Sequence, residues 1–149
     1  ITALPDIRQN LAVPIMLDES LCSAEDGERA ITQQSCDLFN IRLSKCGGIR
    51  SSIRLAAMAE ENGLGYQLGC QVGETGILSA AGRHFACNVN GIRYLEGSYD
   101  KFLVRETLTR ENLTFSRKGR APRLLGSGLG INVNEGRIRL IAERKMELI

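Results

Sequence analysis

The sequence predicts an α/β fold made of successive β-α units with parallel strands. Short apolar runs end abruptly in charged or polar residues at 14–20 (PIMLDES), 38–45 (LFNIRLSK), 66–74 (YQLGCQVGE) and 92–96 (IRYLE). That is the form of a buried parallel strand whose C-terminal end meets an active site. Segments with helical signals separate the runs. The length, 149 residues with 43% hydrophobic side chains, suits one domain burying roughly 70% of its unfolded surface. It falls well short of the about 250 residues of a complete eight-fold β/α barrel.

Residues 5–10 read as a helix leading directly into the first strand. The chain opens without a methionine, and with the short length this predicts a piece of a longer protein. Ser23-Ala-Glu-Asp26 is a capping-box-like start for a helix reaching about residue 35, since the hydroxyl accepts a free backbone N–H and the acids suit the positive helix end. The second strand spans 37–45, and Gly47-Gly48 turns into a helix over 49–62. On that helix Ile49, Ile53, Ala56, Ala57 and Glu60 form the expected packing face, and Gly63 is the expected stop. The third strand starts near Leu64. A third helix covers 76–87 with Ile77, Ala80, Ala81, His84 and Phe85 near one face, and Asn90-Gly91 turns into the fourth strand. The rhythm changes from about Asp100. Residues 107–123 are polar and basic, 126–130 (GSGLG) are glycine-rich, 131–134 alternate like an edge strand, and 137–149 suit a short helix. GSGLG lacks the lysine and the strand-loop-helix setting of a phosphate loop, so it reads as a structural turn.

The 19 basic and 17 acidic residues are interspersed and sum to +2, which gives no reason to expect a nucleic-acid partner. No long apolar run suits a membrane span and no signal-peptide pattern appears, so a cytoplasmic protein is expected. The five cysteines, Cys22, Cys36, Cys46, Cys70 and Cys87, are odd in number and contain no CxxC. They read as small core residues and not as a disulfide or zinc framework, although Cys46 and Cys70 fall near strand ends where either could line a site.

The ordered succession PIMLDES, NIRLSKCGG, GCQVGET…SAAGRHFA and GSGLGINVNEGR resembles the C-terminal half of the enolase superfamily, in particular its muconate-cycloisomerase and dipeptide-epimerase-like members. The resemblance implies a partial (β/α) TIM-like barrel carrying strands five to eight, with residues 1–105 forming that half and 106–149 a C-terminal segment packing toward a capping domain. It also implies an isomerase or lyase that removes a proton α to a carboxylate. Such a proton is very weakly acidic, so the developing ene-diolate must meet Mg²⁺ and fixed positive charge in a dry site. By the same resemblance Asp18 matches a metal ligand, a carboxylate suited to hard Mg²⁺. Glu19 matches a neighbouring acid supporting it. Glu74 matches a seventh-strand acid that either contacts substrate or holds another group by hydrogen bonding.

The sequence departs from the pattern on the sixth strand. The catalytic lysine of the lysine-based members lies two residues after the asparagine, and here that position is Arg42. Arginine stays protonated, so it serves as a fixed cation steadying a carboxylate or the ene-diolate, or as an ion-pair partner of Glu19 or Glu74. Two-base racemisation or epimerisation needs an acceptor on each face of the carbon, so cycloisomerisation or elimination of water fits better. Lys45 matches a second lysine that is not the base. On the eighth strand the Asp-x-Asp of dipeptide epimerases is absent, leaving Glu96 and Ser98 as the substrate-contacting candidates. His84 reads as a packed helix residue. The expected partners are a small carboxylate substrate, the N-terminal half of the barrel with its capping domain, and further copies of the chain in a homo-oligomer. The competing expectation is a non-catalytic half-barrel with an assembly role, since four strands leave open edges. A β/α-barrel phosphate site is a third reading, resting on GSGLG alone.

Overall fold

The computed structural model describes residues 2–97 and 100–143. Four parallel strands, β1 (Met16–Leu17), β2 (Leu38–Ile41), β3 (Gly65–Leu68) and β4 (Ile92–Leu95), lie in the order β1-β2-β3-β4. Helix α1 (Leu4–Asn10) precedes β1, and α2 (Ala24–Thr32), α3 (Gly48–Glu61) and α4 (Gly76–Asn88) connect the strands. The paired strands are shorter than the apolar runs because pairing stops where the polar ends begin. After Ile41, for instance, the chain turns and the Lys45 and Cys46 amides donate to the Arg42 carbonyl at 3.0 and 2.8 Å.

The pleat of β2 separates chemistry from packing. All four of its residues are buried. Phe39 and Ile41, both 0% exposed, belong to the hydrophobic core. Asn40 points to the opposite face and accepts from Gln67 Nε2 at 3.3 Å. The N-terminus of α2 is closed as expected, with Asp26 N donating to Ser23 Oγ at 3.2 Å and Ser23 N to Asp26 Oδ2 at 3.1 Å. Gly63, at φ +71°, follows α3.

The packing face of α3 differs from the expected one. Ser52, Leu55, Ala56 and Ala59 are buried, while Ile49 and Ile53 are 42% and 46% exposed. Leu55 anchors the stripe and the small residues around it let the helix approach the sheet. On α4 the buried set is Gly76, Ser79, Ala80, Arg83 and Phe85, so only Ala80 and Phe85 of the expected face are fully buried, Ile77, Ala81 and His84 being half-buried, and a charged residue, Arg83, takes a place in the packing.

Beyond β4 come α5 (Asp100–Leu103), a 3₁₀ turn (Arg117–Gly119) and α6 (Glu135–Ile141). The expected edge strand at 131–134 reduces to one antiparallel bridge, Thr109 with Val133. The helix expected at 137–149 begins earlier, capped by Asn134 Oδ1 on Arg137 N at 3.1 Å, and residues 144–149 lie outside the described ones. The 126–130 run forms a turn with Gly130 N donating to the Ser127 carbonyl at 3.0 Å, and His84 Nε2 donates to the Leu129 carbonyl at 3.0 Å. His84 is thereby a packing residue. Among the described residues no helix is long and apolar enough to cross a membrane.

Candidate active site at the strand ends

Because the strands are parallel, the loops after β1, β2, β3 and β4 open at one end of the sheet, where β/α architectures place their chemistry. Asp18 directly follows β1 and Arg42 directly follows β2. These two and Lys45 converge. Arg42 Nη2 pairs with Asp18 Oδ2, and Lys45 Nζ lies 3.0 Å from Asp18 Oδ1. Lys45 also donates to the carbonyls of Asp18 and, at 3.1 Å, Asn40. The Lys45 and Arg42 side chains are 7% and 15% exposed and that of Asp18 29%. Both oxygens of one carboxylate thus carry a cation in a largely desolvated place, where the attraction is less screened than at the surface.

Arg42 spends its other arm on two acceptors, Gln71 Oε1 at 3.2 Å and Glu19 Oε1 at 3.4 Å. Glu19 is 80% exposed, so that pair is a weak, solvent-screened one. Of the two partners expected for Arg42, Glu19 is met, whereas Glu74 is engaged elsewhere. Gly69 explains how Arg42 and Asn40 fit side by side: a Cβ there would press on Asn40 Oδ1 and sit 3.0 Å from Arg42 Cγ.

Glu74 lies beside this cluster and supports the loop after β3. Its Oε2 accepts from Gln71 N at 3.0 Å and its Oε1 from Ser79 Oγ at 3.1 Å. Burial raises its carboxyl pKa, against the lowering by these two donors. A raised folded pKa means that the folded chain binds the proton more tightly than the unfolded one. This contribution to stability is therefore present below the unfolded carboxyl pKa and is lost as pH rises through the folded one. Glu74→Gln is expected to remove that slope, so that the difference in urea midpoint between variant and wild type grows from mildly acidic to neutral pH. An identical pH profile would show that the Gln71 and Ser79 donors offset the burial in full and that the folded pKa is not raised.

Glu96 closes the last strand end, its Oε2 accepting from Cys70 N at 3.0 Å, while Cys70 Sγ donates to the Gly97 carbonyl at 2.9 Å. Burial pushes the Cys70 thiol pKa up to about 11, aided by the nearby Glu74 and Glu96 charges. Cys70 is therefore a hydrogen-bonding and not a nucleophilic cysteine. Cys46 is core, 1% exposed. A cavity of about 40 Å³ between α4 and the ends of β3 and β4 is bordered by Leu68, Cys70, Glu74, Arg83, Leu95 and Phe115. Ser98 lies outside the described residues. Three contributors escaped the residue-by-residue reading of the sequence: Gln71, Asn40 and Arg83. The first two stand inside the motifs GCQVGET and NIRLSK, but only pairing reveals that the Gln71 amide and the Asn40 main-chain carbonyl accept from the charged cluster.

Asp18 is one hard oxygen donor of the kind Mg²⁺ prefers. Among the described residues no group of three or more His, Cys, Asp or Glu side chains could hold a metal, and both Asp18 oxygens are already engaged. The described residues alone therefore do not complete a metal centre.

Comparison with known proteins places this arrangement. The sequence matches the family described as enolase C-terminal domain-like over residues 1–137. The N-succinyl Arg/Lys racemase from Bacillus cereus superimposes with a TM-score of 0.82 at 31% identity, over 95% of this chain and 37% of the racemase. A dipeptide epimerase from Cytophaga hutchinsonii, solved with Mg and the dipeptide D-Ala-L-Val, gives 0.77 at 33% identity, over 89% of this chain and 35% of the epimerase. The 2-chloromuconate cycloisomerase from Rhodococcus opacus gives 0.83 at 26% identity, over 95% of this chain and 38% of the cycloisomerase. The chain spans a little over a third of the length of each, in their C-terminal barrel portion. With the parallel sheet and the expected motif order both in place, the chain belongs to the enolase superfamily, as a member of its enolase C-terminal domain-like family.

Proposed function

We propose that this chain is the C-terminal barrel portion of a Mg²⁺-dependent isomerase or lyase that abstracts a proton α to a carboxylate. The observation that carries the reading is the convergence of Arg42 and Lys45 on Asp18 at the ends of adjacent parallel strands. Asp18 would supply one oxygen to the cation, with the remaining ligands and the proton acceptor coming from barrel strands outside this chain. When bound, the cation stabilises negative charge developing on the substrate carboxylate. Arg42 holds a permanent positive charge beside it, braced by Gln71, and cannot accept a proton. Lys45 is spent on Asp18 and two carbonyls, so it orients the carboxylate. Glu74 fixes the loop bearing Gln71, and Glu19, Glu96 and Ser98 are the candidates for contact with substrate. The 106–149 segment is proposed to face a capping domain. A soluble cytoplasmic enzyme, assembled from several copies, fits this reading.

The arginine favours one-base chemistry, a cycloisomerase or dehydratase over an epimerase. Turnover of the complete enzyme in D₂O tests it. Deuterium is expected to enter without inversion of the α-carbon in recovered substrate, and inverted, deuterated substrate would exclude the one-base reading. Arg42→Gln is expected to lower kcat by about 10²-fold, the cost typical of losing one preorganised electrostatic stabiliser. Arg42→Lys is expected to recover most of it, because the charge is kept. A second reading is a half-barrel with a purely assembly role. The exposure of Tyr94 and Leu95 on β4, 56% and 49%, favours it. It predicts association of the isolated chain through its sheet edges, and a monomer with a cooperative melt would oppose it.

A further inference from the structure

Arg83 is a buried cation that the reaction proposed above does not use. It is 7% exposed on α4, where an unpaired charge would be costly. Its guanidinium is given to the C-terminal segment: Nη2 donates to the Leu113 carbonyl, Nη1 to the Pro122 carbonyl at 3.4 Å, and Cζ stands 5.6 Å from the centroid of the Phe115 ring. Leu113 is 1% exposed. The Phe115 ring fills the space that a Cβ on Gly97 would need. Gly97 is in turn tied to the loop after β3, since its carbonyl accepts from Cys70 Sγ at 2.9 Å and the adjacent Glu96 accepts from Cys70 N at 3.0 Å. The next residue, Gln71, holds Arg42 at 3.2 Å. Packed and hydrogen-bonded contacts therefore run without a break from the C-terminal segment to Arg42.

We propose that Arg83 is a positioning residue: by clamping residues 113–122 onto α4 it seats Phe115 on Gly97 and so fixes the Cys70–Gln71 turn that braces Arg42. The assignment of a purpose to that bracing rests on the reading of Arg42 as the fixed cation of the site. The clamp itself rests on geometry alone. A merely covering role for the segment would leave the Cys70–Gln71 turn unchanged when the segment is released, which separates the two possibilities.

Arg83→Met keeps an unbranched stem and removes both donors. Trypsin susceptibility at Lys118 and Arg120 reports release of the segment, and hydrogen exchange followed by mass spectrometry reports the 69–75 and 36–42 stretches. In the variant, cleavage and exchange over 69–75 are each expected to rise by about tenfold or more while 36–42 keeps its protection, as for a local opening. Faster cleavage with unchanged exchange over 69–75 would make the segment a passive cover and overturn the proposal. Unchanged cleavage would show that Arg83 is not the clamp and overturn it equally. Should Arg83→Met fail to fold, Phe115→Ala, which leaves the guanidinium and its two carbonyl acceptors in place, is expected to loosen 69–75 in the same way, and unaltered exchange there would overturn the proposal. Neither cleavage nor exchange requires turnover, so the clamp stands or falls independently of the proposed reaction.

Discussion

Asp18→Asn is expected to abolish turnover of the complete enzyme, lowering kcat by about 10³-fold or more, and to weaken divalent-cation binding with it. The proposed reaction builds negative charge on a carboxylate, and a bound cation contributes several kcal/mol to stabilising such charge, with about 1.4 kcal/mol per factor of ten in rate. An amide oxygen remains after the substitution, but the charge that attracts the cation does not. The same change acts on the fold. Arg42 and Lys45, with side chains only 15% and 7% exposed, lose the counter-charge they share. Breaking a fully buried pair costs about 3–5 kcal/mol. Asp18 itself is 29% exposed, so solvent screening reduces the expected loss to about 2 kcal/mol. Calorimetric titration with Mg²⁺, steady-state kinetics and urea unfolding separate the two effects. Normal turnover in the variant would sink the assignment of Asp18, whatever happened to stability.

Phe39→Ala is expected to be the most damaging single change to the core, costing about 3–5 kcal/mol, out of the about 5–15 kcal/mol that holds a typical domain folded. Phe39 is fully buried on a central strand. Its ring reaches the underside of α2 at Gly27, alongside Leu55 and Met58 of α3. The absence of a side chain on Gly27 lets α2 come close to Met58 and Leu55 of α3 above that ring, so collapse into the vacated space requires two packed helices to move. A urea midpoint shifted by the corresponding amount, with an unchanged m-value, is the expected signature. A shift equivalent to less than about 1 kcal/mol would mean that the two helices close the cavity freely. Because Asn40 stands on the opposite face of the same strand and Arg42 directly follows that strand, the loosening is expected to reach the charged cluster as well.

The position of Asp18 was legible in the sequence because it terminates an apolar run, and a parallel strand leaves only its end to meet water; Arg42 and Lys45 stood out through the resemblance of NIRLSK to the family pattern. The capping box at Ser23 and Asp26 was legible because its pattern is local. The face of α3 was misread for a physical reason: isoleucine is apolar wherever it stands, but the helix is placed by Leu55 and by the small residues that permit close approach. Arg83 was hidden by its charge. Its partners are main-chain carbonyls of Leu113 and Pro122, and carbonyls carry no signature in a sequence. The pairing of Glu74 was likewise beyond reach: its donors, Gln71 N and Ser79 Oγ, are near it in sequence, but only the turn after β3 aims both at the one carboxylate.

The strand order has a consequence for how the chain is made. Among the described strands every pairing joins one β-α unit to the next in sequence, so none of these pairings needs a partner from a distant part of the chain. Folding during synthesis proceeds by accretion, each unit docking on the one already formed, which limits the loop-closure cost paid at each step. The segment held by Arg83 follows all four strands in sequence, so it leaves the ribosome after the sheet it binds and docks on a surface already formed.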